Sequence, residues 1–356
     1  MLTDPRASHA PSSAAASGSD GRAMTRPDIA PGWRLDLPRQ HWHRPLLGLA
    51  IALAALTFVA LVGFVVDDRE LLGRPLWEKP LKFAISGSIY ALTWSWLLGH
   101  VLAPRGRRIA WWAGTVITVT LAIELVVIVG FAAVGLRSHF MVDTPLAVTA
   151  WSIMAGAITT LWVATIVAGL AMWSLPGADP ARRAALRAGI LISLVGLALG
   201  FLMTGSTSGQ LADFQGVAGA HTVGLPDGGS GLPLVGWSTE AGDLRIPHFI
   251  GMHALQALPL LALLLELAAR RIGALRASSI RRRLVLVGAG AFAAVVAIVT
   301  QQALRGQSIV APDALTLSFA AVVAVLVAVA AIAVLAVARR PTRSPGARPD
   351  SRALRH

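Results

Sequence analysis

Residues 46–66 read LLGLAIALAALTFVALVGFVV, twenty-one positions without a charge. At about 1.5 Å of rise per residue, such a run crosses the roughly 30 Å hydrocarbon core of a bilayer as one helix. Seven further apolar segments of similar length follow, near 81–103, 109–135, 146–174, 186–206, 247–268, 284–304 and 314–338. The sequence therefore predicts an all-α membrane protein with eight transmembrane helices. No small-x-small cleavage site follows the first run, so it is expected to remain as helix 1.

Composition agrees with this class. Hydrophobic residues make up 55 % of the 356 positions and charged residues 14 %, against about 25 % charged in a soluble domain. The net charge of +13 does not point to nucleic acid, because the arginines flank apolar spans, where loops meet anionic lipid. The absence of cysteine excludes disulfides, thiolate metal ligands, iron–sulfur clusters and a cysteine nucleophile.

Orientation follows from the cations. Alternate connections and the two tails hold 24 Lys and Arg residues on one side and 7 on the other, which predicts that both termini are cytoplasmic. Residues 1–44, rich in Ala, Ser, Pro, Gly and Arg, are expected to be a disordered cytoplasmic tail. Residues 45–338 form the transmembrane domain, and residues 339–356 form a basic cytoplasmic tail. Only 2 of the 31 cations are lysines, and both fall in one motif, Trp77-Glu78-Lys79-Pro80-Leu81-Lys82-Phe83.

Most outer connections are short, but residues 207–246 form a long Gly-rich one with the turn signal Pro226-Asp227-Gly228-Gly229. A connection of that length is expected to act as a lid or binding loop. The spacing also suits two parallel four-helix repeats: Pro80-Leu81-Lys82-Phe83 and Pro247-His248-Phe249 open corresponding helices. Leu136-Arg137 and Leu304-Arg305 then follow 57 and 58 residues after Pro247's counterpart Pro80 and after Pro247.

Polar residues inside the spans gather toward the outer half. His253 and Gln256 share a face of helix 6 at i, i+3, Glu124 lies in the outer part of helix 3, and Gln301 and Arg305 lie near the outer end of helix 7. Lys79, Lys82 and His248 sit at outer helix ends, and Arg137 and His139 lie in the 3–4 connection. Intramembrane ionisable groups mark functional sites by default. These ten residues are therefore candidates to bind substrate or exchange protons, while the glutamines also suit interhelical hydrogen bonding and the lysines interface anchoring. Neutral imidazoles from His139, His248 or His253 would serve as ligands to haem or a transition metal. His248 and His253, at i, i+5 on a regular helix, point about 140° apart and would not share one ion. The tryptophans, Trp77 and Trp237 apart, are assigned to interfacial belts. No phosphate loop, H-E-x-x-H or G-x-S-x-G signature is present.

The Trp77–Phe83 motif, Ser138-His139-Phe140, and His248-Phe249 followed by Met252-His253-Ala254-Leu255-Gln256 together resemble a group of uncharacterised bacterial multi-pass membrane proteins. The resemblance covers most of the chain outside the tails. It implies a location in the bacterial cytoplasmic membrane and carries no activity. Four functions are compatible with the pattern. The first is a transporter or solute-binding membrane protein whose partners are the bilayer and a small polar or anionic solute. The others are a haem- or metal-binding redox protein, a lipid- or envelope-modifying enzyme using Glu124 or His253 as base, and a structural subunit.

Overall fold

The computed structural model describes residues 42–101, 103–173 and 179–338. Nearly all of both expected tails lies outside the described residues. Ten α-helices are described: α1 (Arg44–Val66), α2 (Glu78–Leu98), α3 (Pro104–Ala133), α4 (Pro145–Ala171), α5 (Pro180–Leu199), α6 (Ser208–Ala212), α7 (Arg245–Met252), α8 (Ala254–Ala268), α9 (Ser278–Leu304) and α10 (Ala314–Ala338). Two small antiparallel hairpins pair β1 (Glu70–Leu71) with β2 (Arg74–Pro75) and β3 (Thr222–Val223) with β4 (Gly242–Asp243).

Among the described residues six helices are long and apolar enough to cross a membrane, α1, α3, α4, α5 with the turns that continue it to Ala212, α9 and α10, or seven where the bent pair α7–α8 is counted as one span. The chain is a multi-pass membrane protein by this measure. α2 has 21 residues, but its charged first turn and its serines, tyrosine and tryptophans leave it short of that apolarity.

Several helices begin earlier than the apolar runs. α3 starts at Pro104 rather than near 109, α5 at Pro180 rather than 186, and α9 at Ser278 rather than 284. Arginine is a good helix former, so a basic first turn extends a span instead of ending it. Proline in the first turn has its φ already set and gives up only an N–H that would be unpaired there. α1, α3, α4 and α5 all carry one. Caps complete the starts: the Thr144 hydroxyl accepts from the Ala147 N–H at 3.2 Å and Asp179 Oδ1 accepts from the Ala181 N–H at 2.8 Å.

Packing follows chain order within each half. α1 lies on α2, α2 on α3 and α3 on α4; α5 lies on α7 and α8, these on α9, and α9 on α10. The larger apolar core joins the halves, with Trp94, Leu161, Leu186, Ile190 and Leu255 in one cluster. Trp94, expected in an interfacial belt, is fully buried there. Small residues set the closest approach: a Cβ added to Gly196 would lie 2.2 Å from the Gly251 carbonyl carbon, so α5 and α7 touch backbone to backbone.

That contact adjoins the main departure from the expected helix 6, a continuous span over 247–268. The helix starts at Arg245 and bends by 42° at His253, whose φ of −81° and ψ of 0° leave the α-region. The His253 N–H bonds to the Ile250 carbonyl at 3.2 Å, a three-residue turn that tightens the helix before α8 restarts. Pro259 inside α8 withholds a further backbone donor.

The connection 207–246 carries structure of its own. It holds α6, the β3–β4 hairpin and buried polar anchors: Thr222, Ser238 and Asp243 are all below 7 % exposed. At the opposite end of the bundle, Arg182 makes paired 2.6 Å bonds to both carboxylate oxygens of Glu266, and Arg281 Nη2 meets Asp179 Oδ2 at 2.9 Å. Glu266 is thus one half of an α5–α8 tie. α10 is the peripheral element, with no part of its most apolar stretch buried.

Candidate functional site

The β1–β2 hairpin, whose turn residues Leu72 and Gly73 both have positive φ, delivers Arg74 beside the first turn of α2. There Glu78, 6 % exposed, accepts from Arg74 Nε at 3.1 Å and from Lys82 Nζ at 2.7 Å. The same cations hold the long connection: Arg74 Nη2 donates to the Leu232 carbonyl at 3.2 Å and Lys82 Nζ to the Val235 carbonyl at 2.9 Å. Gly236, with φ +64°, lies so close that a Cβ would stand 2.3 Å from Glu78 Oε1. Lys82 is therefore engaged in a clamp between α2 and the connection.

Lys79, one helical step away, has a different setting. Its Nζ lies 3.0 Å from His139 Nδ1 and 6.0 Å from the centre of the Phe83 ring. It feels the charges of Lys82, Arg137, Arg245 and Glu124, yet among the described residues no carboxylate lies within ion-pair distance of it. Ser138 Oγ lies 3.0 Å from the same ring nitrogen, and a ring N–H bonds the Ser138 backbone carbonyl. Burial first, then the charge of Lys79 and the nearby His221, holds His139 well below the ordinary imidazole range, so it is neutral at pH 7.

The backbone around His139 is held firmly. Phe140 adopts φ +66°, a conformation that costs a bulky residue about 1–3 kcal/mol. Its ring, 2 % exposed, is wedged against Trp151 at 5.3 Å and His221 at 4.8 Å. The Phe140 carbonyl accepts from the Ala218 N–H at 2.8 Å and Met141 bridges to Val217. His221 Nδ1 in turn lies 2.8 Å from Asp227 Oδ2. Burial lowers the His221 pKa, and the His221 contact holds Asp227 below the ordinary carboxylate range against its own burial.

Below Lys79, Glu124 on α3 is 5 % exposed and its Oε1 has no hydrogen-bond partner. A buried acceptor left unpaired costs about 1–3 kcal/mol. Arg137, half-buried after α3, makes no hydrogen bond or ion pair among the described residues. Lys79, Arg137, His139 and Glu124 are thus brought into one electrostatic neighbourhood.

The remaining candidates fall elsewhere. Gln256 Nε2 donates to Thr93 Oγ1 at 3.1 Å, and the Thr93 hydroxyl donates to the Ile89 carbonyl at 2.7 Å. Gln256 Oε1 therefore faces His253 Nδ1, 3.3 Å away, which must be the N–H of that ring. The chain runs from the helix break into α2, with the Phe249 ring edge-to-face against His253 and the Trp237 ring edge-to-face against Phe249. His248 is not at the surface. Its Nδ1 donates to the Gly196 carbonyl at 2.8 Å, locking α7 to α5. Gln302 Nε2 donates to the Ser308 carbonyl at 2.8 Å and supports the connection through Ser238. Arg305 is ion-paired to Asp313 in an exposed position. Gln301 lines an apolar groove of about 450 Å³ between α5 and α9. Among the described residues, no three His, Asp or Glu side chains are placed to hold a metal ion, so His139, His248 and His253 do not converge.

Sequence reasoning missed three participants. Glu78 and Arg74 were legible only as an acidic and a basic residue at a helix start. His43, assigned to the tail, is 5 % exposed, caps α1 by accepting from the Leu46 N–H at 3.3 Å and donates from Nε2 to the Trp111 carbonyl at 2.9 Å. The position of His43 just before Arg44-Pro45 is the signal that would have found it.

No family model, no curated protein and no solved structure matches this chain.

Proposed function

We propose that the chain is an eight-span protein of a bacterial cytoplasmic membrane that binds a small anionic solute at its outer face, as a transporter or solute-binding protein. α2 is the eighth span in this reading, and the arginine-rich face is cytoplasmic. Two features support a pair of four-helix repeats: in each half the first span lies on the second, the second on the third and the third on the fourth, and each half pairs two short antiparallel strands between its first and second spans.

One observation carries the solute reading. Lys79 and Arg137 act on each other electrostatically, and among the described residues neither has a carboxylate in ion-pair contact; a neutral His139 lies 3.0 Å from Lys79. Burying cations without counter-ions is unfavourable, and an anion entering there supplies what the fold withholds. Glu124 and His253, deeper in the bundle, are the proton-exchanging candidates. The test is thermal unfolding of the purified protein in nanodiscs with phosphate, sulfate and acetate. At least one anion should raise the midpoint, and Lys79→Ala with Arg137→Ala should remove the shift while Arg305→Ala leaves it. A midpoint indifferent to every anion refutes the reading.

A second reading, a haem- or metal-binding redox protein, draws on one feature. His248 and His253 each commit Nδ1–H to an oxygen, the usual way a ligating imidazole is oriented with its Nε2 lone pair outward. A visible spectrum and metal analysis of the purified protein test it: a Soret band or stoichiometric metal would favour this reading over the first.

A further inference from the structure

The solute reading leaves one group unused. Glu124 is buried to 5 % exposure and its Oε1 has no donor, although a lysine lies within its electrostatic reach. The Lys79 ammonium turns to the imidazole of His139 at 3.0 Å instead of to the carboxylate. The neighbourhood therefore holds two complementary sets of polar groups. On one side are Lys79 and Arg137, cations with no carboxylate in ion-pair contact among the described residues. On the other is an acceptor without a donor, Glu124 Oε1.

We infer that the ligand is a zwitterion, with its anionic group held by Lys79 and Arg137 and its protonated amine donating to Glu124. This rests on the anion-binding reading above. A plain anion answers only the cationic side and leaves Glu124 Oε1 without a donor. A plain amine answers only Glu124 and is left beside Lys79 and Arg137. A molecule carrying both groups gives each side its partner. The chemistry is shared by a free amino acid or aminoalkyl phosphate and by an ethanolamine lipid headgroup in the outer leaflet.

Matched probe pairs separate these cases. β-Alanine is compared with propionate and O-phosphoethanolamine with ethyl phosphate, by thermal unfolding midpoint across a concentration series in nanodiscs. In a second arm, nanodiscs of phosphatidylethanolamine are compared with nanodiscs of phosphatidylglycerol. In at least one pair the amine-bearing member should bind at least tenfold more tightly. A preference confined to the lipid arm identifies the headgroup as the source. Glu124→Gln should bring the two members within twofold while keeping affinity for the plain anion, and Lys79→Ala should weaken both. Equal binding of both members by the wild type, or a preference that survives Glu124→Gln, overturns the zwitterion inference and leaves the anion site standing. If no plain anion or zwitterion binds in either arm, the anion reading falls as well.

Discussion

Removing the Glu78 carboxylate should unlatch the 207–246 connection from α2. Glu78 is the shared partner of Arg74 and Lys82, whose side chains are 26 % exposed while that of Glu78 is 8 % exposed. Breaking a buried pair by deleting one partner costs about 3–5 kcal/mol. The partial exposure of both cations lets water recover some of that, so a loss of about 2–3 kcal/mol is expected for Glu78→Ala. If the loss falls mainly on local opening, the open population rises roughly 30- to 150-fold. Proteolysis of the connection from the outer face, in the regime where reclosing outpaces cleavage, reports that population directly. Glu78→Ala should therefore be cut in the 207–246 segment at least 30 times faster than the wild type, with the spans intact. Gln at position 78 should fall between, since it keeps one acceptor and loses the charge. Cleavage of Glu78→Ala at the wild-type rate would refute the clamp, because it would mean that Arg74 and Lys82 hold the carbonyls of Leu232 and Val235 equally well unpaired.

Other outcomes follow from the same geometry. Reporters fused after Arg108, Arg187 and Arg283 should read cytoplasm and those after Asp68, Gly219 and Gln307 the exterior; a cytoplasmic signal at Gly219 would invert the proposed site. Gly196→Val should lower the unfolding midpoint sharply, because its added atoms meet the Gly251 backbone, with a cost of at least about 1–3 kcal/mol; Gly130→Val, where no neighbour lies within 4 Å of the added Cβ, should be near neutral and serves as the control. His139 and His221 are held below 6.5 when folded, so the unfolded chain binds more protons under pH 6.5. Stability should be fully present above pH 6.5 and fall as the pH drops toward 5, by up to about 1.4 kcal/mol per unit and per group. His139→Asn should flatten that slope in a pH series of thermal unfolding. Lys82→Ala should loosen the connection to protease, whereas Lys79→Ala should leave cleavage unchanged and abolish the anion-dependent shift.

The apolar spans were legible because a bilayer imposes a length and a composition that any helix of sequence must meet. Starts were misplaced where arginine and proline continue a helix past its apolar stretch, as at Pro104 and Pro180. The cluster of Lys79, His139, Arg137 and Glu124 was visible as polar residues at similar depth, but depth alone does not say which of them touch. Lys79 and Lys82 look equivalent in the sequence. Only the path of residues 231–236 across α2 commits one to a clamp and leaves the other beside an imidazole. The bend at His253 was illegible for a related reason: it adjoins the contact of Gly196 with Gly251, residues more than fifty positions apart in the chain.

α10 raises a question of information rather than of energy. Its 25 residues pack on α9 with only Thr316 buried, and the rest of its surface faces outward. In a bilayer, a valine exchanged there for leucine or isoleucine meets the same liquid hydrocarbon, and no neighbouring side chain registers the difference. Such a helix is constrained in what it is made of and hardly at all in the order of its letters. Substitutions along it should accumulate freely as long as they stay apolar. The Gly196–Gly251 contact is the reverse case, where position alone decides and only one residue type fits.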